Sequence, residues 1–169
     1  ETFYTCVGSF GNIYLGGTKG NLLKSSNFGQ NWNALGSGQD ILPVSSIYFR
    51  NINELNILLS SRDFDPYDVV FDLIHSSNSG INWVSSISGI TKYDFMSVKF
   101  FDSKIGLTIG KSEYPQSIGI ILKTTNNGAN WNEINNYNYR LNDLTVFPNG
   151  IAYICGGSSK FLKSTDYGD

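Results

Sequence analysis

The chain has 169 residues, enough for one domain with a buried core, and only 15% of them are charged, for a net charge of −2. That balance supplies no basic surface to follow a phosphate backbone, so nucleic acid is not expected as a partner. There is no polybasic stretch and no apolar run of about 18 residues, so neither a membrane surface nor membrane insertion is expected.

The composition leans on Gly, Asn, Ser, Tyr, Phe and Ile. Gly and Asn favour turns, while aromatic and β-branched residues favour strands, so the chain reads as all-β with many short turns. In chain order, strands are predicted at 3–7, 12–17, 21–26 and 32–35, then at 44–49, 54–61, 69–76 and 83–87. The next group is 95–101, 105–110, 118–125 and 131–134, and the last is 143–147, 151–157 and 160–165. Apolar alternation is imperfect along most of them, as expected of strands buried on both faces.

One eleven-residue phrase recurs: LLKSSNFGQNW at 22–32, LIHSSNSGINW at 73–83 and ILKTTNNGANW at 121–131, with FLKSTDYGD at 161–169 beginning a fourth copy. Trp32 and Trp83 are 51 residues apart, Trp83 and Trp131 are 48, and Thr124 and Ser164 are 40. A period of roughly 40–50 residues is that of a propeller blade. The shared pattern is Ser/Thr-x-Asn/Asp-x-Gly-x-x-Trp. Its members are Ser25, Asn27, Gly29, Trp32; Ser76, Asn78, Gly80, Trp83; Thr124, Asn126, Gly128, Trp131; and Ser164, Asp166, Gly168. The Asn or Asp side chain accepts from backbone N–H groups of a tight turn, and the hydroxyl adds a second bond of that kind. Gly supplies the positive φ, and Trp opens the returning strand with a large apolar surface.

This pattern resembles the Asp-box, or BNR repeat, of sialidases, some xyloglucan-degrading hydrolases, sortilin-type receptor domains and photosystem II assembly-factor-like propellers. The resemblance covers nearly the whole chain. It implies an all-β propeller of four-stranded antiparallel blades, about four of them, at 1–37, 38–88, 89–136 and 137–169. Three copies depart from the family by carrying Asn where Asp is expected, which keeps the acceptor and removes the charge. The last blade lacks its Trp and fourth strand. The expectation is therefore a single propeller or a fragment of a larger ring. A four-blade ring, or half a ring completed by self-association or by a missing chain segment, stays open as an alternative.

The resemblance also implies that ligands bind on the end reached by the second-to-third-strand loops and by the links between blades. The repeat turns lie at the opposite end, as scaffold. Two loops there are long: RDFDPYD at 62–68 and KSEYPQS at 111–117, against TKG at 18–20 and SS at 158–159. They hold Arg62, Asp63, Asp65, Tyr67, Asp68, Lys111, Glu113 and Tyr114, and the link to the fourth blade adds Tyr137, Tyr139 and Arg140. Tyrosines beside charged groups suit sugar or peptide recognition, with ring faces for stacking and polar tips for hydrogen bonds. An ordinary solvated loop has the same composition.

The function expected is a non-catalytic scaffold binding a protein or carbohydrate ligand, outside the cytoplasm: secreted, periplasmic or at the cell surface. The alternative is a glycoside hydrolase, with Asp65 and Glu113 as the acid/base pair. Sialidase chemistry fits poorly. The three arginines Arg50, Arg62 and Arg140 are present, but the early Phe/Tyr-Arg-Ile-Pro motif is reduced to YFRNI at 48–52, and Arg50 falls at the wrong end of its strand. His75 is the only histidine and stands where the other copies have Lys24, Lys123 and Lys163, an exposed edge position in this reading. No metal site and no cofactor is expected, because zinc ligands and a phosphate-cradling glycine loop are lacking. Cys6 and Cys155 read as buried free thiols, or as a disulfide if the chain ends meet.

Overall fold

The computed structural model describes residues 2–9, 11–36, 43–49, 54–60, 71–86, 93–112 and 118–169. These form two compact units, 1–89 and 90–169. The first holds β1 (Phe3–Ser9), β2 (Asn12–Gly17), β3 (Asn21–Ser25) and β4 (Asn33–Gly36), then β5 (Val44–Phe49), β6 (Leu55–Ser60), β7 (Phe71–Ser76) and β8 (Val84–Ser85). The second holds β9 (Asp94–Phe100), β10 (Gly106–Ser112), β11 (Ile118–Thr124) and β12 (Asn132–Tyr137), then β13 (Leu141–Val146), β14 (Ala152–Gly156) and β15 (Phe161–Ser164). Each group is an antiparallel meander in chain order: β1 to β4, β5 to β8, β9 to β12, and the three strands β13 to β15. No helix among the described residues is long and apolar enough to cross a membrane.

Within each unit the first sheet is covered by the next. Tyr14 and Leu22 meet Val44, Ile47, Leu55, Ile57 and Ile74, and the Tyr14 and Phe49 rings lie 5.7 Å apart. In the second unit Leu107, Ile109 and Ile121 meet Leu141, Leu144, Ala152 and Ile154. β11 is buried over six of its seven residues, whereas β15 alternates between half-buried and exposed. Leu162 is the residue of β15 that packs against the core of its unit, while Phe161 and Lys163 face away from it.

The repeats fold as four equivalent turns. Ser25 Oγ accepts from Gly29 N at 2.9 Å and Asn27 N at 3.3 Å, and donates to Asn27 Oδ1 at 3.0 Å. Asn27 Oδ1 also accepts from Asn31 N at 2.9 Å. The same bonds recur at Ser76 and Asn78 and at Thr124 and Asn126. At Ser164 and Asp166 the hydroxyl bonds recur. Two successive residues take positive φ: Phe28 and Gly29, Ser79 and Gly80, Asn127 and Gly128, Tyr167 and Gly168. Sequence reading assigned that conformation to the glycine alone. The residue before it pairs its N–H with the turn between the first two strands: Phe28 with Gly11, Asn127 with Lys104, Tyr167 with Gly150. Trp32 and Trp131 stand just before their strands, and each donates from Nε1 to the turn glycine's carbonyl, at 3.0 and 3.1 Å.

Three expectations are corrected. Cys155 is exposed and free, so it is neither a buried thiol nor paired with Cys6. On β14, Ala152 and Ile154 take the core face, which leaves Tyr153 and Cys155 on the other. His75 is half-buried, between Asn56 of β6 and Val84 of β8. Its equivalent Lys123 is buried and reaches Asp169 Oδ1 at 2.6 Å, while Lys24 and Lys163 lie over the Tyr14 and Tyr153 rings. Third strands of a four-stranded sheet have neighbours on both sides, which is why the exposed-edge reading fails at His75 and Lys123.

Candidate functional site

Strand polarity sorts the connections of residues 90–169 into two ends. One end collects the repeat turns at 124–131 and 164–169 and the links at 101–105 and 147–151. The other collects the end of β10, the start of β11, the link 138–140 and the turn 157–160. Within residues 90–169 the repeat turns therefore lie at the end opposite Lys111, Tyr137, Tyr139 and Arg140.

At that second end the link 138–140 is pinned from both sides. Gly119 N donates to Tyr139 O at 3.0 Å, and Gly157 N to Arg140 O at 2.7 Å. The approach needs glycine: a Cβ on Gly119 would run into the Tyr139 carbonyl and stand 2.8 Å from Leu141 Cγ. This fixes Tyr137 and Tyr139 as a tilted ring pair with centroids 5.2 Å apart. The Tyr137 hydroxyl accepts from Asn135 Nδ2 at 3.0 Å. Burial, and then the neighbouring Tyr139, hold Tyr137 above the ordinary tyrosine range, against the Asn135 bond. Arg140 is exposed beside the pair.

Lys111 was read as part of a loop but is a residue of β10. Its Nζ lies 3.3 Å from Asp94 Oδ2, and both side chains are little exposed, at 13% and 11%. Asp94 Oδ1 is buried with no hydrogen-bond partner among the described residues. A carboxylate oxygen left so is costly unless a donor arrives, which makes Asp94 a candidate that sequence reading missed. Its signal was positional only: the first residue of an inner strand, in register with Lys111.

Arg62, Asp63, Asp65, Tyr67 and Asp68 lie outside the described residues, as do Glu113, Tyr114 and Arg50. Of the sequence-predicted ligand residues, the structure brings together Tyr139 and Arg140, with Lys111 on β10 at the same end. No group of three His, Cys, Asp or Glu side chains among the described residues is placed to hold a metal ion.

No protein-family model matches the chain, and no curated protein does. Solved structures do. YCF48 bound to a D1 peptide overlays with a TM-score of 0.55 at 14% identity, over 95% of this chain and 63% of that one. A GH74 enzyme of Niastella koreensis overlays with a TM-score of 0.68 at 16% identity, over 92% of this chain and 27% of that one. The GH74 xyloglucanase of Xanthomonas campestris gives 0.68 at 12%, over 100% and 29%. The fold is a β-propeller. Its blades are the four-stranded antiparallel sheets, three of them complete and the last seen as three strands. At these identities the likeness carries the fold alone, and the propeller described here spans less than two thirds of each of these neighbours.

Proposed function

We propose that the chain is an Asp-box β-propeller, whole or in part, that acts as a non-catalytic scaffold and binds a protein or glycan through the loop end of its blades. The carrying observation is the Tyr137–Tyr139 ring pair, 5.2 Å apart, with exposed Arg140 beside it, at the end away from the repeat turns. Two ring faces and a guanidinium suit a peptide backbone or a sugar ring. The YCF48 structure holds a D1 peptide, which supports the protein half of the reading. In this proposal Arg62, Asp63, Asp65, Tyr67, Glu113 and Tyr114 of the segments 62–68 and 111–117 also contribute to binding. Asn in three of the four turns is compatible with the Asp-box class, because Oδ1 receives donors only, as a carboxylate would. A location outside the cytoplasm belongs to the same proposal.

The GH74 neighbours favour one second reading, a glycoside hydrolase with Asp65 and Glu113 as its carboxylates. The experiment probes a glycan array and a displayed peptide library with the protein, alongside an assay for reducing ends released from xyloglucan. Binding that falls tenfold or more in Tyr139→Ala and Arg140→Ala, without release of reducing ends, supports the scaffold. Release that Asp65→Asn or Glu113→Gln abolishes replaces it with the hydrolase.

A further inference from the structure

Two asparagines of the chain are followed by glycine, Asn127 and Asn149. Such a pair can rearrange without an enzyme. Glycine has no Cβ to keep its amide nitrogen from the side chain before it, so that nitrogen can reach the asparagine Cγ. The fold treats the two pairs differently. Gly128 is buried, and its N–H donates to Thr124 Oγ1 at 2.9 Å in a buried bond. Asn127 is half-buried, holds a φ of 61° and donates its own N–H to Lys104 O at 3.0 Å. The attacking nitrogen is free there only when the repeat turn comes apart. Asn149 is exposed, in the link between β13 and β14. Gly150 N is held by one bond, to Phe147 O at 3.1 Å. That bond lies at a hairpin tip, where local opening costs less than the opening of a buried turn.

The same link seats Tyr167 of the fourth repeat turn. Gly150 O accepts from Tyr167 N at 2.9 Å, and the Tyr167 hydroxyl donates to Pro148 O at 3.5 Å. The ring lies so close that a Cβ on Gly150 would stand 2.7 Å from its Cε2. The ring also meets Phe101 edge-on, with centroids 5.3 Å apart. Asn149 thus stands beside the contact that ties the repeat turn at 164–169 to its own sheet.

We propose that Asn149 is a site of spontaneous conversion to isoaspartate, and that the conversion releases Tyr167 from the link at 147–150. Gly150 N gives up its proton to solvent and adds to Asn149 Cγ. The Cγ–Nδ2 bond breaks, Nδ2 takes a proton from solvent and leaves as ammonia, and a succinimide closes. Water then cleaves the ring. Cleavage at Cγ gives aspartate with the main chain as before. Cleavage at the Asn149 carbonyl carbon gives isoaspartate, whose main chain runs through Cβ and Cγ. In sum, water is consumed and ammonia released, and nothing is oxidised or reduced. The isoaspartate main chain is one carbon longer before Gly150, so the Gly150 carbonyl no longer stands under Tyr167 N.

The test incubates the full chain at mildly alkaline pH and follows both asparagines by peptide mapping, with electron-transfer fragmentation to separate isoaspartate from aspartate. In the folded chain Asn149 should convert roughly tenfold or more faster than Asn127. In urea the two rates should converge. Amide exchange at Tyr167, read by NMR, should quicken in the isoaspartate form. Asn149→Asp adds the charge on an unaltered main chain and should keep Tyr167 protected. Equal rates at the two asparagines of the folded chain overturn the site, as does conversion of Asn149 in urea alone. Tyr167 exchange that is unchanged in the isoaspartate form, or equally fast in Asn149→Asp, overturns the release.

Discussion

Replacing the hydroxyl of a repeat turn should cost an amount set by how deeply that turn is buried. Ser76 is 1% exposed, and its Oγ accepts from Gly80 N at 2.8 Å in a buried bond and from Asn78 N at 3.3 Å. In Ser76→Ala the Gly80 N–H is left without an acceptor away from water, a loss of about 1–3 kcal/mol. The longer bond to Asn78 N adds about 0.5 kcal/mol. Asn78 Oδ1 keeps its bond from Asn82 N, so nothing further is orphaned there. The sum is about 1.5–3.5 kcal/mol, or a melting shift on the order of 3–14 °C for a chain of this size. Ser164 makes the same bonds in a turn that water reaches, so Ser164→Ala should cost about 1 kcal/mol or less. Urea unfolding by circular dichroism gives the totals. Because the chain has two compact units that need not unfold in one step, amide exchange at Gly80 and Gly168 assigns each loss to its unit. Equal losses in the two variants, or a loss under about 1 kcal/mol for Ser76→Ala, would refute the link between burial and the worth of the turn.

Asn126→Asp should be neutral or stabilising by up to about 1 kcal/mol, since Oδ1 faces only the Thr124 hydroxyl and Asn130 N–H; a urea midpoint that falls would contradict that. Gly119→Ala forces the 138–140 link away from β11, so it should cost about 1–3 kcal/mol and weaken any ligand that Tyr139→Ala weakens, checked by unfolding and by titration. Lys99 is held below the ordinary lysine value of 10.5 by burial, with Asp143 opposing. Between its folded pKa and 10.5 the unfolded chain binds more protons, so stability should rise with pH in that window. Lys99→Gln should flatten that rise in urea midpoints measured from neutral pH upward.

Much of the fold was legible because one turn is written four times. The hydroxyl, the amide and the glycine fix the turn, the turn fixes where the third strand ends, and the strands at 12–17 and 44–49 fall where the sequence placed them. Boundaries set by pairing with a neighbour were less legible. β8 closes after two residues instead of the five read at 83–87, and β10 runs on through Lys111 and Ser112 because both continue the ladder with β11. Burial at His75 and Lys123 was missed for a related reason. Local polarity does not reveal that a charged side chain has a partner 46 residues away, as Lys123 has in Asp169. At the candidate site, the tyrosines and Arg140 were visible as a cluster of polar aromatics in a chain poor in charge. Asp94 was not, since its significance lies in a buried oxygen without a donor, a property of packing rather than of spacing.

The most direct measurement is an NMR footprint of the bound ligand recovered from the glycan array or the peptide library. Binding at the loop end predicts that perturbed amides cluster at 94, 111, 118–119, 137–141 and 156–157. A footprint centred instead on the repeat turns at 126–130 and 166–169 would contradict the account, because it would make the repeated letters the site and the unrepeated ones the scaffold.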